Sequence, residues 1–304
     1  MQTSTHHETR GLWLGLLGVV IFAMTLPMTR LAVGPASDPQ LPPLFVTAGR
    51  AAFAGLLSVA YLWVTGAPRV QRRHLAALAA SALGTVVGFP LFLSLALRDV
   101  DAMHAAVVTG LMPLATAVAA AIFFRQRPSN GFWICAVLGC AMVLAFAAWR
   151  GAGHPTPADG LLLLAVASTA VGYVAGARVA AELPAEQVIC WVLVISLPLT
   201  VPVMLVTWPA APVRASAWGG FAYVTLFSMW LGFFAWYRGL ALGGTVRVSQ
   251  VQLVQPFLAL LFAVPVLGET LDASTVLFSL AVIAVVFVSK KMPASVPSLQ
   301  TRNS

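Results

Sequence analysis

Charge is what this sequence lacks most. Only 9% of its 304 residues are Asp, Glu, Lys or Arg, against 60% hydrophobic, and no water-soluble fold could hide that much apolar surface. Lysine occurs only as the adjacent pair Lys290 and Lys291, and no G-x-x-x-x-G-K-[ST] is present, so a P-loop is excluded as a direct energy source. Without G-x-S-x-G, H-E-x-x-H or a Cys/His array, the common hydrolase and zinc-protease chemistries have no support, and neither cofactor nor metal is expected. The cysteines, Cys135, Cys140 and Cys190, lie inside apolar runs without metal-ligand spacing and read as small packing residues. No carboxylate falls deep in any apolar run, which argues against a membrane-centre proton relay.

What is present is a series of apolar stretches, at about 11–31, 44–65, 75–97, 102–124, 131–149, 160–180, 187–208, 217–240, 245–267 and 273–289. Most approach the ~20 residues that cross ~30 Å of hydrocarbon. The two longest runs are cut into hairpins at Arg98-Asp-Val-Asp101 and at Gly243-Gly244. The pattern predicts an all-α integral membrane protein of ten transmembrane helices. Residues 11–31 are too long an apolar run for a signal peptide and are taken as the first helix.

The basic residues orient it. With the N-terminus inside, cytoplasmic segments hold Arg10, Arg69, Arg72, Arg73, Arg125, Arg127, Arg178, Arg238, Arg247, Lys290, Lys291 and Arg302, against Arg30, Arg98, Arg150 and Arg214 outside. That bias places both termini in the cytoplasm of a multi-pass protein of the cell inner (plasma) membrane. The net charge of +8 is therefore a topology signal and implies no nucleic-acid partner.

The chain also repeats. "AMHAAVVTGLMPLATAVAAAIFFRQR" around Pro113 parallels "TVRVSQVQLVQPFLALLFAVPVLGET" around Pro256, with Gln126 and Glu269 in the same place. Phe22–Arg30 parallels Ala170–Arg178. The expected organisation is a cytoplasmic tail 1–10, a five-helix unit 11–150, a second unit 151–291 and a cytoplasmic tail 292–304. Five is odd, so the two units are inverted, as in secondary transporters with broken central helices.

These residues resemble a known family. "RVSQVQLVQPFLALLFAVPVLGE" (247–269) is similar to the ninth-helix signature of EamA-type transporters of the drug/metabolite transporter superfamily. "FAMTLPMTRLAV" in the first helix, Gly49-Arg50 and "MPLATA" at 112–117 match further family positions. The resemblance implies a ten-helix bundle with helices 1, 3, 4, 6, 8 and 9 around a central cavity, and efflux of small metabolites, often amino acids or related compounds. Two departures stand out: the family's usual Trp-Gly in the first helix is Phe22-Ala23, and an acidic residue common at the end of the fourth helix is Gln126.

Candidate site residues follow from helical angle. In the ninth helix Thr245, Ser249, Gln252, Gln255 and Pro256 share an arc of about 120°, with Gln250 and Arg247 opposite. A polar stripe is unfavourable against lipid and should face the interior. The repeat adds Thr109, Met112 and Pro113 from the fourth helix. The two prolines break their helices near mid-membrane. Hydrogen bonding between neighbouring helices is the structural alternative for this stripe.

In the eighth helix Tyr223, Phe227, Trp230, Phe234 and Tyr237 form one aromatic face. Trp230 and Tyr237 are candidates for the cavity wall, core packing being the alternative. Arg50 is the one charge well within a span; it should snorkel, or find carbonyls or an outer-side carboxylate, and reads first as a structural anchor, with direct contact to a substrate carboxylate as the sharper alternative. His104, three residues after Asp101, is a candidate proton site or a rim residue. Gly11/Gly15, Gly84/Gly88 and Gly172/Gly176 give close-approach faces for packing inside the monomer, and would also suit a homodimer.

The expected function is a secondary carrier exporting a small organic metabolite by alternating access, with a small-molecule substrate and the bilayer as partners. The competing class is an integral-membrane enzyme using Asp99 and Asp101 with His104. Such an enzyme would turn over in detergent without a gradient.

Overall fold

The computed structural model describes residues 2–123, 127–150, 154–180, 182–243, 248, 250–291 and 294–295. Among the described residues eight helices are long and apolar enough to cross a membrane: α1 (Thr9–Val33), α2 (Pro43–Val64), α3 (Arg72–Ala96), α4 (Ala102–Phe123), α5 (Asn130–Arg150), α6 (Pro157–Ala180), α7 (Glu186–Val206) and α8 (Ala215–Leu240). Two shorter apolar helices follow, α9 (Val251–Leu267) and α10 (Ala273–Ser289). The β structure among the described residues is one antiparallel pair, Arg127-Pro128 with Ala294-Ser295.

Local chemistry sets the ends. Pro43 opens α2 at a position where a missing N–H costs nothing. At the start of α6, Asp159 Oδ2 accepts from both the backbone N and the Oγ1 of Thr156, each at 2.7 Å, which ties the first turn to the residue before the helix. Asp272 caps α10 by accepting from Thr275 N at 2.8 Å. α9 stops at Gly268, whose φ of 70° is the left-handed conformation that favours glycine. The expected hairpin cut before α4 is present, since residues 97–101 are non-helical. The other expected cut falls at Gly243, where helix ends, and at Gly244, which lies outside the described residues.

The packing is regular. α1 runs along α8, α2 along α7, α3 and α4 both along α6, α5 along α10, and α9 against α4 and α1. Glycines permit the closest crossings: a Cβ on Gly84 of α3 would collide with backbone at Ser168 and Gly172 of α6, and one on Gly239 of α8 with backbone at Gly15 of α1. Buried side chains such as Phe45, Leu93, Met103, Phe146 and Leu162 form the main core. A second cluster gathers Leu78, Val86, Leu193, Met229 and Phe233. Trp63, Val137, Leu205, Val206 and Leu277 face outward, an apolar coat suited to lipid and not to water. Cys140 belongs to that outer face, while Cys135 and Cys190 are buried, all as free thiols.

One end of the bundle is tied by Arg30 to the Leu97 carbonyl, Arg214 to Asp38 at 2.7 Å, and Arg150 to Asp272 at 3.0 Å and Asp101 at 3.8 Å. The opposite end carries Arg73 and His74 on Glu182, at 2.7 and 3.0 Å. These are called below the Arg150 end and the Arg73 end.

Candidate functional site

Five helices leave regular α geometry as they pass the bundle centre. α1 is interrupted at Met24, between Ala23 and Thr25. α3 is π-helical over Ala82–Gly88 and α8 over Val224–Leu231. α4 breaks at Gly110-Leu111, and α9 begins as a 3-10 turn, Gln250–Val254. Prolines explain much of this. Pro90 follows the α3 π segment, and Pro113 and Pro256 are each the second residue of a restarted helix. Lacking an N–H, Pro113 leaves the Thr109 carbonyl without its helical donor, and Pro256 does the same to Gln252. π turns and unwound backbone are costly unless packing imposes them, and they gather at functional sites.

These breaks surround two adjoining cavities. The first, of about 20 Å³, is lined by Thr109, Met112, Pro113, Gln252, Gln255 and Pro256 with their apolar neighbours. The second, of about 50 Å³, shares Leu26, Thr109, Met112 and Gln255 with it and adds Arg50, Thr25, Thr85, Thr169, Tyr173 and Ser228, with Phe22, Phe89, Met229 and Phe233 as apolar walls. Space of this size admits a few waters. Towards the Arg73 end, a larger opening of about 430 Å³ lies between α3, α4 and α6, with an alanine- and valine-rich wall and Arg73, Arg178 and Glu182 at its rim.

Arg50 is 2% exposed. Its Nη2 donates to Ser228 Oγ at 3.0 Å, and Ser228 Oγ lies 2.8 Å from Thr25 Oγ1. Its Nε and Nη1 are buried with no partner among the described residues. Of the partners weighed for Arg50, an outer-side Asp or Glu is not found: among the described residues no carboxylate pairs with it. α2 is packed between α7 and the π segment of α8, so the side chain is directed into the cavity and not along the helix to the surface.

The structure therefore brings Thr109, Met112, Gln252, Gln255, Pro113, Pro256 and Arg50 together. Ser249, Thr245 and Arg247 lie outside the described residues. Trp230 and Tyr237 are placed elsewhere: Trp230 packs on Phe234 and Tyr61, with ring centroids 4.9 and 6.4 Å away, and Tyr237 on Phe233 at 5.7 Å. Neither is among the residues lining the two central cavities. The expected face assumed 3.6 residues per turn throughout, whereas the π segment turns the wall over to Ser228, Met229 and Phe233. Tyr223 and Phe227 do stack, 5.1 Å apart, and the Tyr223 hydroxyl donates to the Ile21 carbonyl at 3.1 Å.

At the Arg150 end, Asp99, Asp101, His104, Arg150, Thr156 and Asp159 share a cleft of about 340 Å³. His104 is not a rim residue. It is 5% exposed, and its Nε2 lies 2.5 Å from Oδ1 of Asp159. Asp159, itself 2% exposed, lies in the first turn of α6, at the end of the span and not deep within it. Its signal was the Thr156-Pro-Ala-Asp159 cap, read only as the edge of an apolar run. Glu269 receives the backbone N–H groups of Ala102 and Met103, at 2.7 and 2.9 Å, and so caps α4 from the end of α9. Burial raises its carboxyl above the ordinary carboxylate value, while those two N–H donors pull it back down. Among the described residues no group of three or more His, Cys, Asp or Glu side chains is arranged to hold a metal.

An apolar-coated helical bundle with broken helices around a buried polar cavity is a multi-pass membrane protein with a small-molecule site. The profile of the EamA-like transporter family matches residues 9–147 and again 156–290, and the chain belongs to that family. It is 40% identical over 290 residues to a Bacillus subtilis (strain 168) protein named uncharacterized transporter YdeK, covering 94% of this chain and 99% of that one. A solved crystal structure, 18% identical, superposes with a TM-score of 0.61 over 93% of this chain and 97% of its own, which shows a shared fold. The chain is a membrane transporter, with the bilayer and a small molecule as its partners.

Proposed function

We propose that the chain is a secondary carrier that exports a small organic metabolite by alternating access around the central cavity. The observation that carries this is the meeting of α4 and α9, each broken and restarted at a proline, with Thr109, Met112, Gln252 and Gln255 around one cavity. Paired broken helices at a midplane site are what a carrier needs and a continuous channel does not.

In this reading α9 and α10 also cross, which gives ten helices in two inverted units, 11–150 and 151–291. The packing supports it. Exchanging the halves turns the α1–α8 contact into α6–α3 and the α1–α9 contact into α6–α4, and returns α2–α7, α4–α9 and α5–α10 to themselves. The π segments of α3 and α8, and the Gly84/Gly172 and Gly15/Gly239 crossings, are also mates under that exchange. The family profile's two consecutive matches point the same way.

The Arg73 end would face the cytoplasm with both termini, and the Arg150 end the outside of the inner membrane. Energy would come from gradients and not from bound ATP, and a monomer would suffice for one pathway. An untargeted metabolite comparison of cells with and without the protein, followed by flux of the hits in proteoliposomes, tests the proposal. Export of a defined solute, insensitive to vanadate, is expected; purified protein with vanadate-sensitive ATPase activity would overturn it.

A further inference from the structure

We propose that the central cavity, which in this conformation has room for a few waters and must widen to admit a solute, is an Arg50-centred binding site for a small organic monocarboxylate with an apolar body. The inference rests on the carrier reading above and narrows its substrate class.

Arg50 is the one charged residue among those lining the cavity, and no described carboxylate pairs with it. An unpaired arginine inside a membrane helix is costly. Salt bridges elsewhere in the molecule quench Arg73, Arg150 and Arg214, all partly exposed. The buried arginine is left open instead, with no partner for Nε or Nη1 among the described residues and Nη2 held by the Ser228 hydroxyl, which Thr25 bonds in turn. That is a pre-organised anion receptor, since a planar guanidinium recognises a carboxylate by charge-assisted hydrogen bonds.

The remaining wall sets the rest of the ligand. One positive charge balances a monoanion; a dianion would bring a second charge with nothing to meet it. An α-ammonium group would likewise find no carboxylate there, so the amino acids that the family resemblance suggested fit less well than the related acids without the ammonium. Phe22 and Phe233, edge to face at 5.0 Å, with Phe89, Met112 and Met229, offer an apolar surface for the body. Two further polar atoms are buried without partners, Gln255 Oε1 and Thr169 Oγ1. A hydroxyl on that body would donate to Gln255 Oε1 and accept from the Thr169 hydroxyl, so a 2-hydroxy acid is the class chosen for the test.

The test uses the purified full chain in detergent and then in proteoliposomes. The thermal unfolding midpoint is titrated with 2-hydroxy-4-methylpentanoate, its neutral amide, leucine, isobutylmalonate and chloride. The hydroxy acid should stabilise saturably, and the amide, leucine and the dianion should each bind at least about tenfold more weakly, the loss of one charge-assisted contact. Arg50→Gln should abolish the hydroxy-acid response while leaving the ligand-free midpoint unchanged or higher, because it removes an uncompensated buried charge. Arg50→Lys should retain part of the response.

Equal binding of acid and amide, preference for leucine or the dianion, or an equal response to chloride would overturn the assignment. So would the absence of any response to short monocarboxylates, or a ligand-free midpoint that falls in Arg50→Gln and Arg50→Lys while ligand response persists. Counterflow separates the two levels. Binding without counterflow would remove the carrier reading and leave the site, whereas counterflow of another solute class without monocarboxylate binding would remove the site and leave the carrier.

Discussion

His104 Nε2 and Asp159 Oδ1 sit 2.5 Å apart, both nearly inaccessible, and join α4 of the first family match to α6 of the second. Asp159 meanwhile holds two donors from Thr156 on its other oxygen. Removing one partner of a buried pair leaves the other unsatisfied, which costs about 3–5 kcal/mol. His104→Ala and Asp159→Ala should each lower the thermal midpoint sharply, and the double variant should fall by less than the sum of the two. Glu182→Gln, which breaks a half-exposed pair at the other end, should have a much smaller effect. Additive losses at His104 and Asp159 would show that the two do not act as a pair.

Gln252→Leu should reduce flux strongly at matched expression. Leucine approximates glutamine in size but offers no hydrogen bond in a dry site, a loss of roughly 1–3 kcal/mol or about 5–150-fold in affinity. Thr109→Val should give a milder defect, because Thr109 Oγ1 already donates to the Ala105 carbonyl at 2.8 Å. Cys140→Ala, on the outer face of α5, should transport as wild type. Normal flux in Gln252→Leu would make the polar stripe a packing feature.

On a cysteine-free background, Ser37→Cys and Gln71→Cys test orientation. Both positions are exposed, one between α1 and α2, the other just before α3. An impermeant thiol reagent added to intact cells should label position 37 and spare position 71. Labelling at position 71 would reverse the proposed topology.

Asp272 supplies a pH test. Its carboxyl is held down to about 2, chiefly by the Ser274 hydroxyl, with Thr275 and Arg150 adding to the effect. A depressed carboxyl contributes stability that is complete above its unfolded value near 3.8 and is lost as pH falls towards about 2. Asp272→Ala should therefore destabilise by about 1 kcal/mol at neutral pH, the usual cost of an N-cap. The difference from wild type in thermal midpoint should shrink below pH 4; a constant difference down to pH 2 would exclude the carboxylate as the cause.

The sequence alone determined the apolar helices, their approximate bounds and the residues where α4 meets α9. Those follow from local composition and from the two mid-run prolines, although the helices are not regular there, since Gln252 lies in a 3-10 turn and α4 breaks after Thr109. Trp230 and Tyr237 did not follow regular helical spacing, because a π segment changes the angular period and only the packed bundle imposes it. Asp159 was legible as a cap, yet its pairing with His104, 55 residues away in sequence, is a property of two helices brought side by side. Arg50 shows the division most plainly. Composition marked it as the one charge well within a span, but whether a buried guanidinium is quenched depends on which side chains surround it. That is a matter of long-range contacts, here with Ser228 at a separation of 178 residues, which no local pattern encodes and only tertiary packing decides.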